Sequence, residues 1–524
     1  MPLYDSTQLV IGEATQYFFD DLLIESVENI RRTFHSPQRV GDEPVVRKDK
    51  PWEHVTYFTC NTWQVIRDPK DGLLKLWYCD WDKPEVKPGD FASPGCFRML
   101  YAQSEDGLHW DKPALGLETI DGHDTNVVLG GEGFNAYNLG LLLDPHETDH
   151  DRRFKGLCTY FRQGGDCDSM LYVTSGDGIH FKHEPTKPQF GRLGSLLDDV
   201  IILSYNQFSR TYVMNTRHYD MYAIRRNYKS PCLMNFTPPY YPQDWARRNK
   251  RRVWQSESAD MIHWSQPYLA VCPEDGEDDL DATFYGLAQY PMGDIRLGLL
   301  NIMNYAHNDM HVRLVYSRDG HTWHHLNARR PWLEPRGPGH WDAYMNTIPS
   351  PPVRVGDELF VFHGGSSNHH DWWITGAREG LDVPEAHDQR HVNYALGLAK
   401  LRVDGFCSLE AGPARDGILV TRPIISPGEH LVINAACLEG GSIAVEAVDH
   451  NDEVIPGFSK EQCDVFTGDG LRHVVTWQGR DRVPVGSTER AKYPQPERER
   501  LRSFRFFLRK AHLYSMQLTN QRPE

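Results

Sequence analysis

Short runs that alternate apolar and polar residues, or are apolar throughout, fill most of the chain. Among them are TWQVIRD at 62–68, LLKLWYCD at 73–80, FRMLYAQ at 97–103, RFKGLCTYF at 153–161, VIILSYN at 200–206, IRLGLLNIM at 295–303 and ELFVFHGG at 358–365. Each is rich in β-branched and aromatic residues and is bounded by Gly, Pro, Asn or Asp. That pattern predicts strands. Helix content is expected to be low throughout.

A motif punctuates these runs. SEDGLHW at 104–110, SGDGIHF at 175–181, SADMIHW at 258–264 and SRDGHTW at 317–323 share a Ser, an Asp two residues on, and an aromatic four residues after that Asp. Each follows a strand-like run. A weaker copy is Asp404-Gly405-Phe406 after LGLAKLRV. Asp accepts backbone N–H groups in a tight turn, Gly supplies positive φ, and the aromatic opens the next strand and packs between sheets. The motif recurs every 60–85 residues or so, enough for a four-stranded sheet with its loops. Five such sheets arranged radially make a five-bladed β-propeller. Tandem sandwiches would lack a common turn motif, and a β-helix has shorter repeats.

The expected fold is therefore all-β. Residues 1–44 form an N-terminal extension that covers a blade edge or closes the ring, 45–412 the five-bladed propeller, and 413–524 a C-terminal antiparallel β-sandwich. HLVINAA, SIAVEAV, HVVTWQG, LRSFRFFL and AHLYSMQL carry the last assignment.

Composition narrows the function. The 524 residues hold 56 Lys and Arg against 72 Asp and Glu, a net charge of −16. So acidic a chain is a poor partner for nucleic acid or anionic lipid, and the basic run RRNKRRVW at 247–254 reads as a solvated hairpin. No apolar run is long enough to span a membrane. The opening MPLYDSTQLVIGEATQYFFDD lacks a basic and then apolar leader, so a cytoplasmic location is expected. None of the 10 Cys forms a CxxC pair, which fits free thiols in a reducing compartment. There is no P-loop, no dinucleotide fingerprint and no GxSxG elbow.

The five repeats, an acid near each first strand, and a trailing sandwich resemble the furanosidase clan of glycoside hydrolases, the β-fructofuranosidase-type family thirty-two and arabinanase-type family forty-three. The phrases FFDDLLIE, DKPWE, LKLWY, SEDGLHWDKPALGL, RRVWQSESADMIHWSQP, LRVDGFCSL, LVTRPI and LVINA look more closely like uncharacterised bacterial family-thirty-two-like proteins. The resemblance implies a catalytic propeller, a supporting sandwich, and hydrolysis or transfer of glycosyl groups, with a furanoside or similar small glycoside as substrate. The chain departs from the fructofuranosidase signature. IRDP at 66–69 leads into a hairpin, and the Glu-Cys pair is absent, so catalytic residues do not carry over by motif.

They are sought by geometry instead. The first strand of each blade lines the axial channel, and the loops entering those strands open on one face. Glycosidic cleavage needs two carboxyls, one protonated and one ionised. Glu53, Asp199, Asp281 and Asp342 enter from four different blades and are the candidate catalytic acids. Asn135, Arg217, His340, Trp341, His363, His369, His370 and Trp372 are candidates for holding sugar hydroxyls or stacking on a sugar face. No set has compact metal-ligand spacing, so neither metal nor cofactor is expected. Asp20 and Asp21, and the turn aspartates Asp106, Asp177, Asp260, Asp319 and Asp404, are assigned structural roles. The alternatives are a non-catalytic carbohydrate-binding propeller, or a phosphorylase or lyase on the same fold, with Arg217 and His363 as part of a phosphate site.

Overall fold

The computed structural model describes residues 9–81, 97–130, 136–160, 169–190, 200–218, 251–274, 276–279, 281–304, 307–370, 391–449, 452–484 and 501–523. Among them the regular structure is β, broken by short 3-10 turns at His150–Arg152, Asn327–Arg329 and Lys460–Gln462, with no α-helix. No helix is long and apolar enough to cross a membrane.

Trp63–Arg67, Leu74–Trp81, Phe97–Ser104 and Val127–Gly130 form one four-stranded antiparallel sheet. Ala136–Leu143, Phe154–Tyr160, Ser169–Ser175 and Lys182–His183 form the next. A third sheet is built on Ile202–Asn206, Thr211–His218 and Arg252–Ser258. The last two units differ from the expectation of separate sheets. Ala282–Met292, Ile295–Asn304 and Asp309–Ser317 are joined through a parallel Met310–Met345 pairing to Met345–Thr347, Glu358–Ser366 and Tyr394–Arg402. Gln38–Arg39, from the chain's start, pairs with Tyr394–Arg402 and completes that sheet. The strands are almost wholly buried on both faces (Leu74–Trp81 and Ile295–Asn304 throughout), which explains their continuous apolar runs.

The Ser-x-Asp turns weld each unit to the one before it. The second turn sits on Trp77 of the first unit. Trp77 Nε1 donates to the Gly178 carbonyl at 2.7 Å. Gly178 has φ +81°, and a Cβ there would lie 2.5 Å from the indole. The fourth turn sits on the third unit, where Gln255 Nε2 donates to the Gly320 carbonyl at 2.9 Å. Met261, in the third turn, shares a core cluster with Leu142 and Leu157 of the second unit. The first turn sits on Phe360 of the last unit, 3.0 Å from where a Gly107 Cβ would be. Inside each of these four turns one Asp oxygen accepts two backbone N–H groups at 2.7–2.9 Å. His109, His180 and His263 contact the other oxygen at 2.7 Å through Nδ1, and Thr322 donates to it in the fourth turn.

These bonds have a pH signature. The backbone bond from His109 leads in holding Asp106 below its ordinary range. Burial alone would raise Asp177, Asp260 and Asp319, but the hydrogen bonds outweigh it, and Asp319 falls to about 2. A depressed native pKa stabilises the fold above the unfolded value of about 3.9, and that contribution is lost as pH falls through the native value. The urea midpoint is therefore expected to fall between about pH 4 and pH 2. Replacing the four aspartates by Asn should flatten that slope. An unchanged slope would deny the turns this role.

A second core belongs to a ten-stranded sheet. Its spine is the long pair His430–Val448 and Leu501–Thr519. Cys407–Ala411 and Gly417–Thr421 add to it, as do four strands from the N-terminal segment, Leu9–Val10, Gln16–Tyr17, Ile24–Glu28 and Arg31–Phe34. Asp20 fastens that segment to the fourth unit, accepting from Tyr316 at 2.9 Å and from Arg318 at 2.8 and 2.9 Å.

Candidate active site

Loops entering the first strands, and turns joining the second and third strands, gather at one end of the units. Two clusters lie there. Asp199, Asn135 and Trp372 fall outside the described residues, as does Trp373.

The first cluster is built on the fourth unit. Asp281 immediately precedes Ala282–Met292. Ala282 pairs with Asn304, and Asn304 in turn with Asp309, so one row of the sheet carries all three residues. Asn304 is buried, and its amide nitrogen stands 3.4 Å from both Asp279 Oδ2 and Asp281 Oδ1. Asp309 is half-buried. Burial, and to a lesser degree the charge of Asp281, raise its carboxyl above the ordinary range, against the opposing pull of His307 and His369. A nearby negative charge disfavours the ionised form of a carboxyl, as burial does.

Two arginines and a histidine gather on Tyr285, in the strand that Asp281 precedes. The Arg217 guanidinium lies over the Tyr285 ring at 4.0 Å and Arg251 at 4.8 Å, and Arg251 also bonds the Tyr285 hydroxyl. His370 meets the same ring edge-on at 5.2 Å. His369 packs on Tyr344 with ring centres 3.8 Å apart, and its Nδ1 lies 3.3 Å from the Asn308 carbonyl. The His370 backbone N–H donates to the same carbonyl at 3.2 Å. The turn before Asp309 thus holds the histidine loop in place.

The second cluster is built on the fifth unit. Asp342 is fully buried and clamped by two arginines, Arg336 at 2.6 Å and Arg39 at 3.1 Å. Trp341 stacks on His363 at 5.4 Å and 22°. Burial, helped by the positive charge of Arg39, lowers His363 to about 3, so the ring is neutral. The neighbouring Asn346 side chain is fully buried, and among the described residues neither its Nδ2 nor its Oδ1 has a hydrogen-bond partner. Beside this cluster opens a cavity of about 600 Å³, lined by His340, Trp341, Tyr344 and Tyr394 with Arg47 and Lys48.

Glu53 stands in neither. Its side chain is fully buried. Lys112 bonds both of its oxygens at 2.8 and 2.9 Å, Tyr78 donates at 2.6 Å, and the Asp49 and Lys50 backbone N–H groups donate at 2.9 and 3.0 Å. The carboxylate is occupied in shaping its own loop. Of the acids picked from the sequence, Asp281 is the one whose charge reaches a second, raised carboxyl, that of Asp309. His369 acts on the same carboxyl, and Arg217 and His370 gather on Tyr285 of the strand that Asp281 precedes. Asp309 and Arg251 escaped the sequence reading. HNDM looks like an ordinary hairpin turn, and Arg251 sits in a basic run taken as solvated. Among the described residues no group of His, Cys, Asp and Glu has the arrangement to hold a metal ion.

No family model matches the chain, and no curated protein does. Solved structures similar to it include one described as a glycoside hydrolase, at 11% identity over 70% of this chain and 92% of that one, with a TM-score of 0.45. A β-1,2-mannobiose phosphorylase from Listeria innocua, in complex with β-1,2-mannobiose, is similar at 11% identity over 72% and 97%, with a TM-score of 0.43. A family 43 arabinoxylan arabinofuranohydrolase from Bacillus subtilis, in complex with cellotetraose, is similar at 10% identity over 89% and 97%, with a TM-score of 0.39.

Proposed function

We propose that this chain is a carbohydrate-active enzyme. Its five antiparallel units form a five-bladed propeller at residues 45–412, backed by a sandwich at 413–524, and it cleaves the glycosidic bond of a furanoside or similar small glycoside. The observation that carries this reading is the raised carboxyl of Asp309 within electrostatic range of Asp281. Asp309, whose carboxyl burial raises above its ordinary range, is the group that gives its proton to the leaving glycosidic oxygen. Asp281 acts at the anomeric carbon as nucleophile or as the base for an incoming water. His369 and Tyr344 offer a stacked wall beside them. Glu53 and Asp342 shape the mouth, because their oxygens are bonded to Lys112 and to Arg39 and Arg336.

A second reading has its own observation. Arg217, Arg251 and His370 converge on Tyr285, in the strand that Asp281 precedes, and two guanidiniums there suit a phosphate oxyanion as the attacking group. Phosphorolysis would then replace hydrolysis, with Asp309 still the proton donor.

The test is a panel of aryl glycosides and oligosaccharides, assayed with and without inorganic phosphate. Cleavage without phosphate supports hydrolysis, and release of a sugar 1-phosphate only when phosphate is present supports phosphorolysis. The enzyme reading falls if nothing is cleaved while a sugar raises the melting temperature equally in wild type and Asp281→Asn. The chain would then be a binding module.

A further inference from the structure

The opposite end of the same first strands holds a larger cavity, about 1080 Å³ in volume. Residues that end or follow the first strand of all five units line it. They include Arg67, His146, Arg210, Gln289 and Arg354. Its charge is unusual for this molecule. The chain carries a net −16, yet three arginines and a histidine line this cavity and no Asp or Glu does. The three guanidiniums have no ion-pair partner among the described residues. Arg67 bonds only the Gly72 and Arg354 carbonyls, and Arg354 only the Gly356 carbonyl. Asp404 lies within electrostatic range of Arg354, but Tyr17 and Ser515 occupy its oxygens.

A fourth cation stands behind the wall. Arg296 is fully buried and donates only to neutral acceptors: Gln289 at 2.7 Å, the Tyr205 carbonyl at 2.6 Å, Gln207 at 2.7 Å and Ser204 at 3.0 Å. All four of those residues line the cavity. Burial pulls its guanidinium down to about 10, and Glu257 opposes this from beyond ion-pair distance. A buried charge without a counter-charge is costly, and its field extends through the thin wall into the cavity. An anion bound there would meet four positive charges and displace no carboxylate. Apart from Gln64, the rest of the lining is apolar. Tyr205, packed against His146 at 5.0 Å, and Pro145, Pro291 and Pro351 present flat C–H surfaces of the kind that cover a sugar ring.

We infer that this cavity is a second binding site, distinct from the acid pair, for a monosaccharide-sized sugar that carries one anionic group. The anionic half stands on the charges alone, and the sugar half rests on the carbohydrate reading above.

Calorimetric titration with glucose 6-phosphate, glucuronate, glucose and inorganic phosphate tests it on the full chain. One or both anionic sugars should bind, and which one does so names the group. Glucose should not bind, and inorganic phosphate should bind more weakly. The surface substitutions Arg67→Gln, Arg210→Gln and Arg354→Gln together should weaken binding at least tenfold. Arg217→Gln, at the other mouth, should leave it unchanged. The inference is overturned if neither anionic sugar binds at millimolar concentration, or if the triple variant binds as wild type does. Loss of binding in Arg217→Gln alone would place the anion at the acid pair and overturn the inference too. Since none of these readouts is cleavage, they hold or fail apart from the catalytic assignment.

Discussion

Asp309→Asn is expected to lower kcat for a natural oligosaccharide by about 10²–10⁴-fold, the usual worth of a positioned proton donor. It should slow a nitrophenyl glycoside far less, because nitrophenolate leaves without being protonated. Asp281→Asn should slow both substrates alike, since attack at the anomeric carbon is needed whichever group departs. The pH profiles should part in the same way. Asp309 works only while protonated, so wild-type activity on the oligosaccharide falls as pH rises through its raised pKa. In Asp309→Asn that alkaline limb should vanish. Melting temperatures near wild type would rule out loss of fold, because Asp309 sits at a strand end and is only half-buried. Equal losses on both substrates for Asp309→Asn would remove it from the role of acid.

The second large effect is on stability. Lys112→Met is expected to destabilise the fold by about 3–5 kcal/mol, because it strips the counter-charge from a buried carboxylate. The Lys112 and Glu53 side chains are 3% and 0% exposed, so solvent does little to screen the pair. Burial, and then the Glu53 charge, push the Tyr78 hydroxyl well above its ordinary pKa, so Tyr78 stays a donor and takes up none of the charge. Adding Glu53→Gln to Lys112→Met should recover most of the loss. The amide oxygen still accepts the backbone N–H groups, and no unpaired charge is left behind. Urea titration of the three proteins measures this. A single-variant loss under about 1 kcal/mol would show the pair to be expendable. Glu53→Gln that abolishes cleavage without any change in stability would return Glu53 to the catalytic list.

These two experiments follow the line between what could be read in the chain and what could not. The Ser-x-Asp turns were legible because everything they need lies within seven residues. Their spacing then gave the repeating strand units. Asp281, Arg217, His369 and His370 were legible as polar residues in entry and turn loops. What they face was not. Glu53 and Asp342 occupy the same kind of loop as Asp281, and local sequence does not distinguish them. Their partners do: Lys112 lies 59 residues away and Arg39 303 residues away, and only the closed structure shows those carboxylates already bonded. Asp309 was passed over for the converse reason. Its local sequence is a plain hairpin turn, and its raised carboxyl comes from burial and from an acid on a strand two places across the sheet. The parallel Met310–Met345 pairing that joins two units left no mark in the alternation either.

The pairing of Gln38–Arg39 with Tyr394–Arg402 has a consequence for biogenesis. Arg39 and its partner Ala399 stand about 360 residues apart. At roughly 5–20 residues per second, a ribosome takes about 20–70 s to make the intervening chain. Throughout that time Gln38–Arg39 has no partner, nor have the four strands before it that later join the ten-stranded sheet. The early units can form their own hairpins as they emerge, but the sheet cannot be completed until Tyr394–Arg402 has been made. Truncation from either end should therefore leave exposed edges, and the nascent chain is a natural client for chaperones that shield them.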